Sequence, residues 1–300
     1  MGEAGIAGRL EADPDIRLTA YVFSRVYGDL PQGAWRAPGT LTLLGGPEAA
    51  LTVALPWGAV VAAAPCADGS ELYSLNHHEG PLAPSPGMRP PPWALPCVRA
   101  LESVPAGAGL RVAVNRLLPD QMGLLSGAET FSAVSLALRD LRGLEPSGAD
   151  PCSLHGPARA LLLRAGSAAE PVPFDLEAAG LRLLLVELGP GGTGPASSEA
   201  RAGDTVAVAE RLRGGDCTAL GAMLTQAHRP GNEAADLALE VALGVGALGG
   251  RRIGRCVLTL APVPRIRDIR TAVTTRLEGL TVRPPRFLTA VPSDGAHRVA

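Results

Sequence analysis

Helical and extended periodicities alternate along the chain and place most of its elements. Residues 18–27 (LTAYVFSRVY) carry Ala20, Phe23 and Val26 at helical spacing, and Gly28 ends the run. Residues 41–44 and 51–55 are apolar stretches of strand length, and 109–115 (GLRVAVN) alternates as a short strand. From Ala128 onward, Phe131, Val134, Ser135 and Leu138 share one helical face, which Gly143 closes. Residues 181–188 (LRLLLVEL) form a strongly apolar strand. A Gly/Pro/Ser-rich connector, GPGGTGPASSEARAG, begins at Gly189 and marks a boundary. Beyond it, helices over 204–213, 219–228 and 234–245 precede strands over 256–260 and 285–291. No internal repeat is present.

Residues 49–67 (AALTVALPWGAVVAAAPCA) are long enough to span a bilayer but carry Pro56-Trp57-Gly58 at their centre. The expectation is two short buried strands joined around a turn, not a membrane span. His77, His78 and the Pro-rich run that follows (GPLAPSPGMRPPPW) predict an exposed loop, because proline interrupts helix and sheet pairing. No acidic or thiol cluster lies near the paired histidines in sequence, so no metal site is assigned to them.

Composition narrows the chemistry. Aromatic residues make up only 3% of the 300 positions, so the core is built from Ala, Val and Leu. All basic residues are arginine, which excludes lysine Schiff-base mechanisms. A net charge of −2 gives no electrostatic reason for a nucleic-acid or anionic-membrane partner. The five cysteines are scattered and lack Cys-x-x-Cys spacing, which argues against a disulfide framework or zinc site and for a reducing cytoplasm. The polar, acidic N-terminus is unlike a secretory signal.

Around Gly123-Leu124-Leu125-Ser126-Gly127-Ala128 a strand leads through a glycine-bearing loop into a helix. Such a loop turns backbone N–H groups and the positive helix end toward one point, where a phosphate fits. Motifs on both sides of this loop add to the signal. Ala37-Pro38-Gly39, Leu43-Leu44-Gly45 and Ala54-Leu55-Pro56 precede it. Ser147-Gly148-Ala149-Asp150, Ala160 to Leu163, Val172 to Leu176, Gly246 to Cys256 and Pro292 to Ala296 follow it.

In this order they resemble galactokinases of the GHMP small-molecule kinase superfamily. That family opens with A-P-G-R-V-N-L-I-G-E-H-T-D-Y, has a phosphate loop like L-P-x-G-A-G-L-S-S-S-A, and carries a late T-G-G-G-F-G-G-C. The resemblance implies an α+β, two-lobed fold, with residues 1–188 forming the lobe with the phosphate loop and 189–300 the second lobe. It also implies ATP, held by Gly123, Leu124, Ser126, Gly127 and Ala128, with Asp150 as the counterpart of the catalytic Asp.

The reactive positions have changed. The family's first-motif Arg falls on Thr40, and its sugar-holding Glu, His and Asp fall on Gly46, Pro47 and Ala49. Glu48 is displaced by two residues from the family's Glu. The magnesium-ligating Glu falls on Phe131, which offers no oxygen, so no metal ligand is assigned and magnesium is not expected. Glu129 reads as a charge-stabilised helix start that would repel a phosphate. Asp150 follows Gly148 by two residues where the family has three, and it reads equally as a turn former before Pro151. The late glycine loop is shortened to Ile253-Gly254-Arg255-Cys256, and Arg251, Arg252 and Arg255 read either as anion ligands or, with no such role needed, as arginines of a solvated loop.

Three functions follow. The first is a catalytically degenerate protein acting through a small-molecule ligand or a protein partner. The second is an active ATP-dependent kinase for galactose or another hydroxylated metabolite, using Asp150 and Ser126. The third is a nucleotide- or anion-binding module without turnover.

Overall fold

One long ribbon of two strands, β1 (Gly33–Gly45) and β2 (Ala49–Cys66), organises the first sheet. The computed structural model describes residues 13–85, 87–104, 109–145, 150–189 and 201–300. The N-terminal twelve residues, most of the Gly/Pro/Ser connector, and Ser147, Gly148 and Ala149 of the motif before Asp150 lie outside these. Beside the ribbon are β3 (Glu71–Ser74), β4 (His77–Leu82), β5 (Gly109–Arg116), β6 (Arg159–Arg164) and β7 (Glu170–Pro173). The C-terminal β12 (His297–Arg298) returns to complete the sheet. Its order is β12-β1-β2-β5-β3-β4, with β6 pairing the start of β2 and β7 pairing β6.

The second sheet runs β11-β8-β10-β9, from β8 (Leu181–Glu187), β9 (Gly249–Ile253), β10 (Cys256–Pro262) and β11 (Arg286–Ala290). All its pairings are antiparallel. Two sheets with helices packed on them make the fold α+β, as expected.

Residues 49–66 form one strand, not two. The sequence suggested a break at Pro56-Trp57-Gly58, and the structure absorbs those residues as a bulge. Pro38 pairs with Gly58 and Gly39 with Leu55, so Pro56 and Trp57 are extra residues opposite a continuous partner. A Cβ at Gly58 would lie 2.0 Å from the Ala37 carbonyl oxygen, so only glycine fits the crossing. Among the described residues no helix is long and apolar enough to cross a membrane. The expected loop at His77 is also corrected, because residues 77–82 pair with β3, and the first three residues of the Pro-rich run, Gly80 to Leu82, belong to that strand.

Helix α1 (Pro14–Tyr27) starts at an Asp13 cap that accepts the Asp15 and Ile16 N–H groups, and it ends at left-handed Gly28. Its Ile16 and Phe23 cover one face of the first sheet. Helices α2 (Leu95–Glu102) and α3 (Ala128–Leu141) cover the opposite face. The period of two in β2 divides accordingly: Val60, Ala62 and Ala64 face α1, while Val61 and Ala63 face α2 and α3. A short helix, α4 (Pro151–Leu154), follows Asp150.

The largest core lies between the two sheets, where Leu43, Leu51 and Val53 meet Leu183, Leu185 and Leu258. Helices α5 (Ala202–Arg213) and α6 (Ala219–Gln226) seal it with Val208, Leu212, Leu220 and Leu224. The other face of the second sheet carries α7 (Glu233–Val245) and α8 (Ile266–Arg276). Strand β8 is therefore buried on both faces, which explains its unbroken apolar run.

Candidate functional site

The loop over 118–128 joins β5 to α3, and its own apolar residues hold it in place. Leu118, Met122 and Leu124 are buried in the core between the sheets. A single 3-10 turn, Asp120–Met122, ends at Gly123 with φ 68°, and Gly127 precedes α3 with φ 94°. Both backbone conformations favour glycine, and at Gly127 a Cβ would also lie 2.9 Å from Pro96 Cγ. The loop thus has the strand–glycine–helix geometry that the sequence suggested.

A protein carboxylate already fills part of it. Glu129, 1% exposed, turns back so that both its oxygens accept the Gly127 N–H, each at 3.1 Å. Arg116 Nε and Nη2 donate to the same carboxylate at 3.1 and 3.0 Å. The remaining Arg116 nitrogen pairs with Asp120. The Ser126 hydroxyl accepts the Ala128 N–H at 3.3 Å. Two donors at the start of α3, the Gly127 and Ala128 N–H groups, are therefore taken by the chain's own side-chain oxygens. Arg116 had no part in the sequence reading, although its place at the end of an alternating strand, thirteen residues before Glu129, was visible there.

Beside the loop opens a cavity of about 710 Å³. Ser126, Ala128 and Asp150 line it, whereas Gly123, Leu124 and Gly127 do not. Leu124 instead points into the core. Asp150 caps α4, its Oδ1 accepting the Cys152 N–H at 3.0 Å, so it is a turn former that also borders the cavity. Thr40 and Phe131 complete that wall together with Thr42 and Thr52.

Ser132, Ser135 and Arg139 also line the cavity and were missed as site residues. Their spacing with Ala128 follows one face of α3, and that pattern was the available signal. Cys152 is buried, with its Sγ 3.7 Å from Thr40 Oγ1. Burial pushes its thiol pKa up, against the opposing effect of the Ser132 hydroxyl, so it is a neutral thiol and a poor nucleophile.

The counterparts of the sugar-holding residues sit elsewhere. Gly46 and Pro47 make the turn between β1 and β2, Ala49 begins β2, and Glu48 is exposed and outside the cavity lining. Arg251 is corrected: it lies buried on β9, not on a solvated loop. It donates to the Leu43 and Thr42 carbonyls at 2.9 and 2.6 Å, and burial lowers its pKa to about 10. The Arg252 backbone N–H donates to His228 Nδ1 at 3.2 Å, and Arg255 stands in the turn between β9 and β10. His77 stacks on Trp93 and lies 3.3 Å from Asp120 Oδ2, while the side chain of His78 is outside the described residues. Among the described residues no group of three or more His, Cys, Asp or Glu side chains is arranged to hold a metal ion.

No family model matches the chain. Among curated proteins, it is 26% identical to the galactokinase of Streptomyces coelicolor over 377 aligned positions, covering 92% of this chain and 97% of that one. Among solved structures, Lactococcus lactis galactokinase complexed with galactose superposes with a TM-score of 0.81 at 16% identity, over 94% of this chain and 99% of that one. Methanococcus jannaschii mevalonate kinase follows at 0.60 and 11%, over 87% and 98%. The chain is similar in sequence to a galactokinase and shares the fold of galactokinase and mevalonate kinase.

The 377 aligned positions exceed the 300 residues of this chain, so the Streptomyces relative carries segments with no counterpart here. The turn at Ile253 to Cys256 is the one that the sequence reading found shortened. A Cβ on Gly254 would lie 3.4 Å from the Met122 and Gly123 carbonyl oxygens, so the shortened turn rests directly on the loop after β5.

Proposed function

We propose that the galactokinase scaffold here serves as a small-molecule binding protein that no longer transfers phosphoryl groups. The observation that carries this reading is Glu129. A phosphate at the start of α3 would compete for the Gly127 N–H with a buried, negatively charged carboxylate that Arg116 holds in place. Phosphoryl transfer relies on neutralising phosphate charge, and this loop supplies charge of the wrong sign.

Magnesium-bound triphosphate does not fit the residues present. The one carboxylate lining the cavity, Asp150, spends Oδ1 on the Cys152 N–H, and Phe131 and Thr40 bring neither oxygen anion nor cation. What the cavity does offer is hydroxyls from Thr40, Thr42, Ser126, Ser132 and Ser135. Hydroxyls both donate and accept, which suits a neutral, polyhydroxylated ligand of the size of a sugar. The galactose held by the Lactococcus relative points to the same class. Occupancy then acts through sensing or through a protein partner.

The competing reading, an active kinase, draws on one feature: Asp150, Ser126 and Arg139 border the same cavity and could serve as base, phosphate contact and cation. Release of ADP from ATP and magnesium with a panel of neutral sugars separates the two. Our reading expects the same background in the wild type and in Asp150→Asn. Turnover that Asp150→Asn abolishes would establish the kinase.

A further inference from the structure

A second pocket shares no lining residue with the cavity, and its polar groups are left wanting partners. It measures about 310 Å³, near the lower end of small-molecule sites. Strand register builds it. Glu187, the last residue of β8, pairs with Cys256 on one side and Arg286 on the other, and Arg255 stands in the turn preceding Cys256. Arg283 and the segment Pro119, Gln121 and Met122 close it.

Glu187 is 2% exposed. Its Oε1 accepts the Gly189 N–H at 3.1 Å and pairs with Arg283. Its Oε2 is fully buried and, among the described residues, has no donor. Arg283 Nε is likewise buried without an acceptor. The guanidinium groups of Arg255 and Arg286 form no ion pair or hydrogen bond among the described residues. Three guanidinium groups against one carboxylate leave two positive charges around the pocket.

These unmet needs specify a ligand. The arginines call for an anion with several acceptor oxygens, since guanidinium binds such groups through paired donors. The buried Oε2 calls for an O–H or N–H, because a buried carboxylate oxygen without a donor is costly. Sulfate meets only the first need, since it carries no proton at neutral pH. Monohydrogen phosphate meets both, as does a phosphate ester with a free hydroxyl. We propose that this pocket is a binding site for a phosphoryl anion bearing a hydroxyl donor, either inorganic phosphate or a small hydroxylated phosphate ester.

Calorimetric titration of the full chain with inorganic phosphate, glycerol phosphate and sulfate at one ionic strength tests the assignment. Phosphate or glycerol phosphate is expected to bind at least about tenfold more tightly than sulfate, the discrimination that one charged hydrogen bond gives. The tighter of the two identifies free phosphate or an ester as the ligand class. Arg286→Ala, at an exposed strand start, is expected to weaken that binding about tenfold with no change in melting temperature. Glu187→Gln, whose amide can donate, is expected to raise sulfate affinity toward that of phosphate. Equal affinity for sulfate and phosphate, no binding of any anion in the millimolar range, or phosphate binding that Arg286→Ala leaves intact would each overturn the proposal.

Discussion

At Glu129 one carboxylate serves three donors: the Gly127 N–H and two nitrogens of Arg116. Arg116 is itself only 12% exposed along its side chain, so removing Glu129 leaves a largely buried cation with Asp120 as its remaining partner. Glu129→Ala is therefore expected to cost about 2–4 kcal/mol in urea unfolding, the range for breaking a buried pair from one side. A cost below that of an ordinary surface substitution would mean that the carboxylate does not hold the loop. His155 gives a second test at this scale. It is 5% exposed, neither ring nitrogen has a partner among the described residues, and burial lowers its pKa from 6.5 to about 4. Between those values the unfolded chain takes up a proton that the folded chain refuses, so stability falls as pH drops from 6.5 to 4. The loss attributable to His155 is about 3 kcal/mol across that window. Stability measured against pH is expected to flatten in His155→Leu, and an unchanged slope would assign the loss to other groups.

Among the elements, the ribbon of β1 and β2 depends on its bulge. Gly58 sits where Pro56 and Trp57 are inserted opposite β1, with backbone atoms of Ala37 and Gly39 within 2.6 Å of any Cβ placed there. Gly58→Ala is expected to destabilise the fold by about 3 kcal/mol or more, since backbone on the partner strand must move. A urea midpoint within error of wild type would show that the bulge relaxes freely. The same bulge marks a limit of sequence reading. Helix α1, strand β8 and helices α5, α6 and α7 were legible because their periodicity matched their burial, whereas α8 was not anticipated. Residues 49–66 were not, because proline and glycine at mid-strand give the same local signal whether the chain turns back or bulges. Strand β4 was hidden for a related reason: its pairing with β3 comes from a partner, not from its own composition.

For the whole molecule, the two sheets are joined by an apolar core and by Arg251, which reaches from β9 to carbonyls of β1. It carries a charge with no counter-ion among the described residues, so its hydrogen bonds offset a desolvation cost. Arg251→Met, which fills the space without the charge, is expected to lower the urea midpoint less than Arg251→Ala, which leaves a cavity as well. Equal losses would show that the two hydrogen bonds outweigh packing. The site was legible in outline at this scale, because the motif order located the loop and Asp150. Its electrostatics were not legible. Sequence showed that Glu129 would repel a phosphate, but only the fold shows it turned back onto the Gly127 N–H, with Arg116 at the end of β5 holding it. That arrangement carries the central claim, and thermal unfolding with ATP, with and without magnesium, tests it most directly. A ligand of the native state raises the melting temperature as its concentration passes its Kd. No magnesium-dependent rise at millimolar ATP is the expected result, and a clear magnesium-dependent rise would contradict the claim that Glu129 and its surroundings exclude magnesium-bound triphosphate.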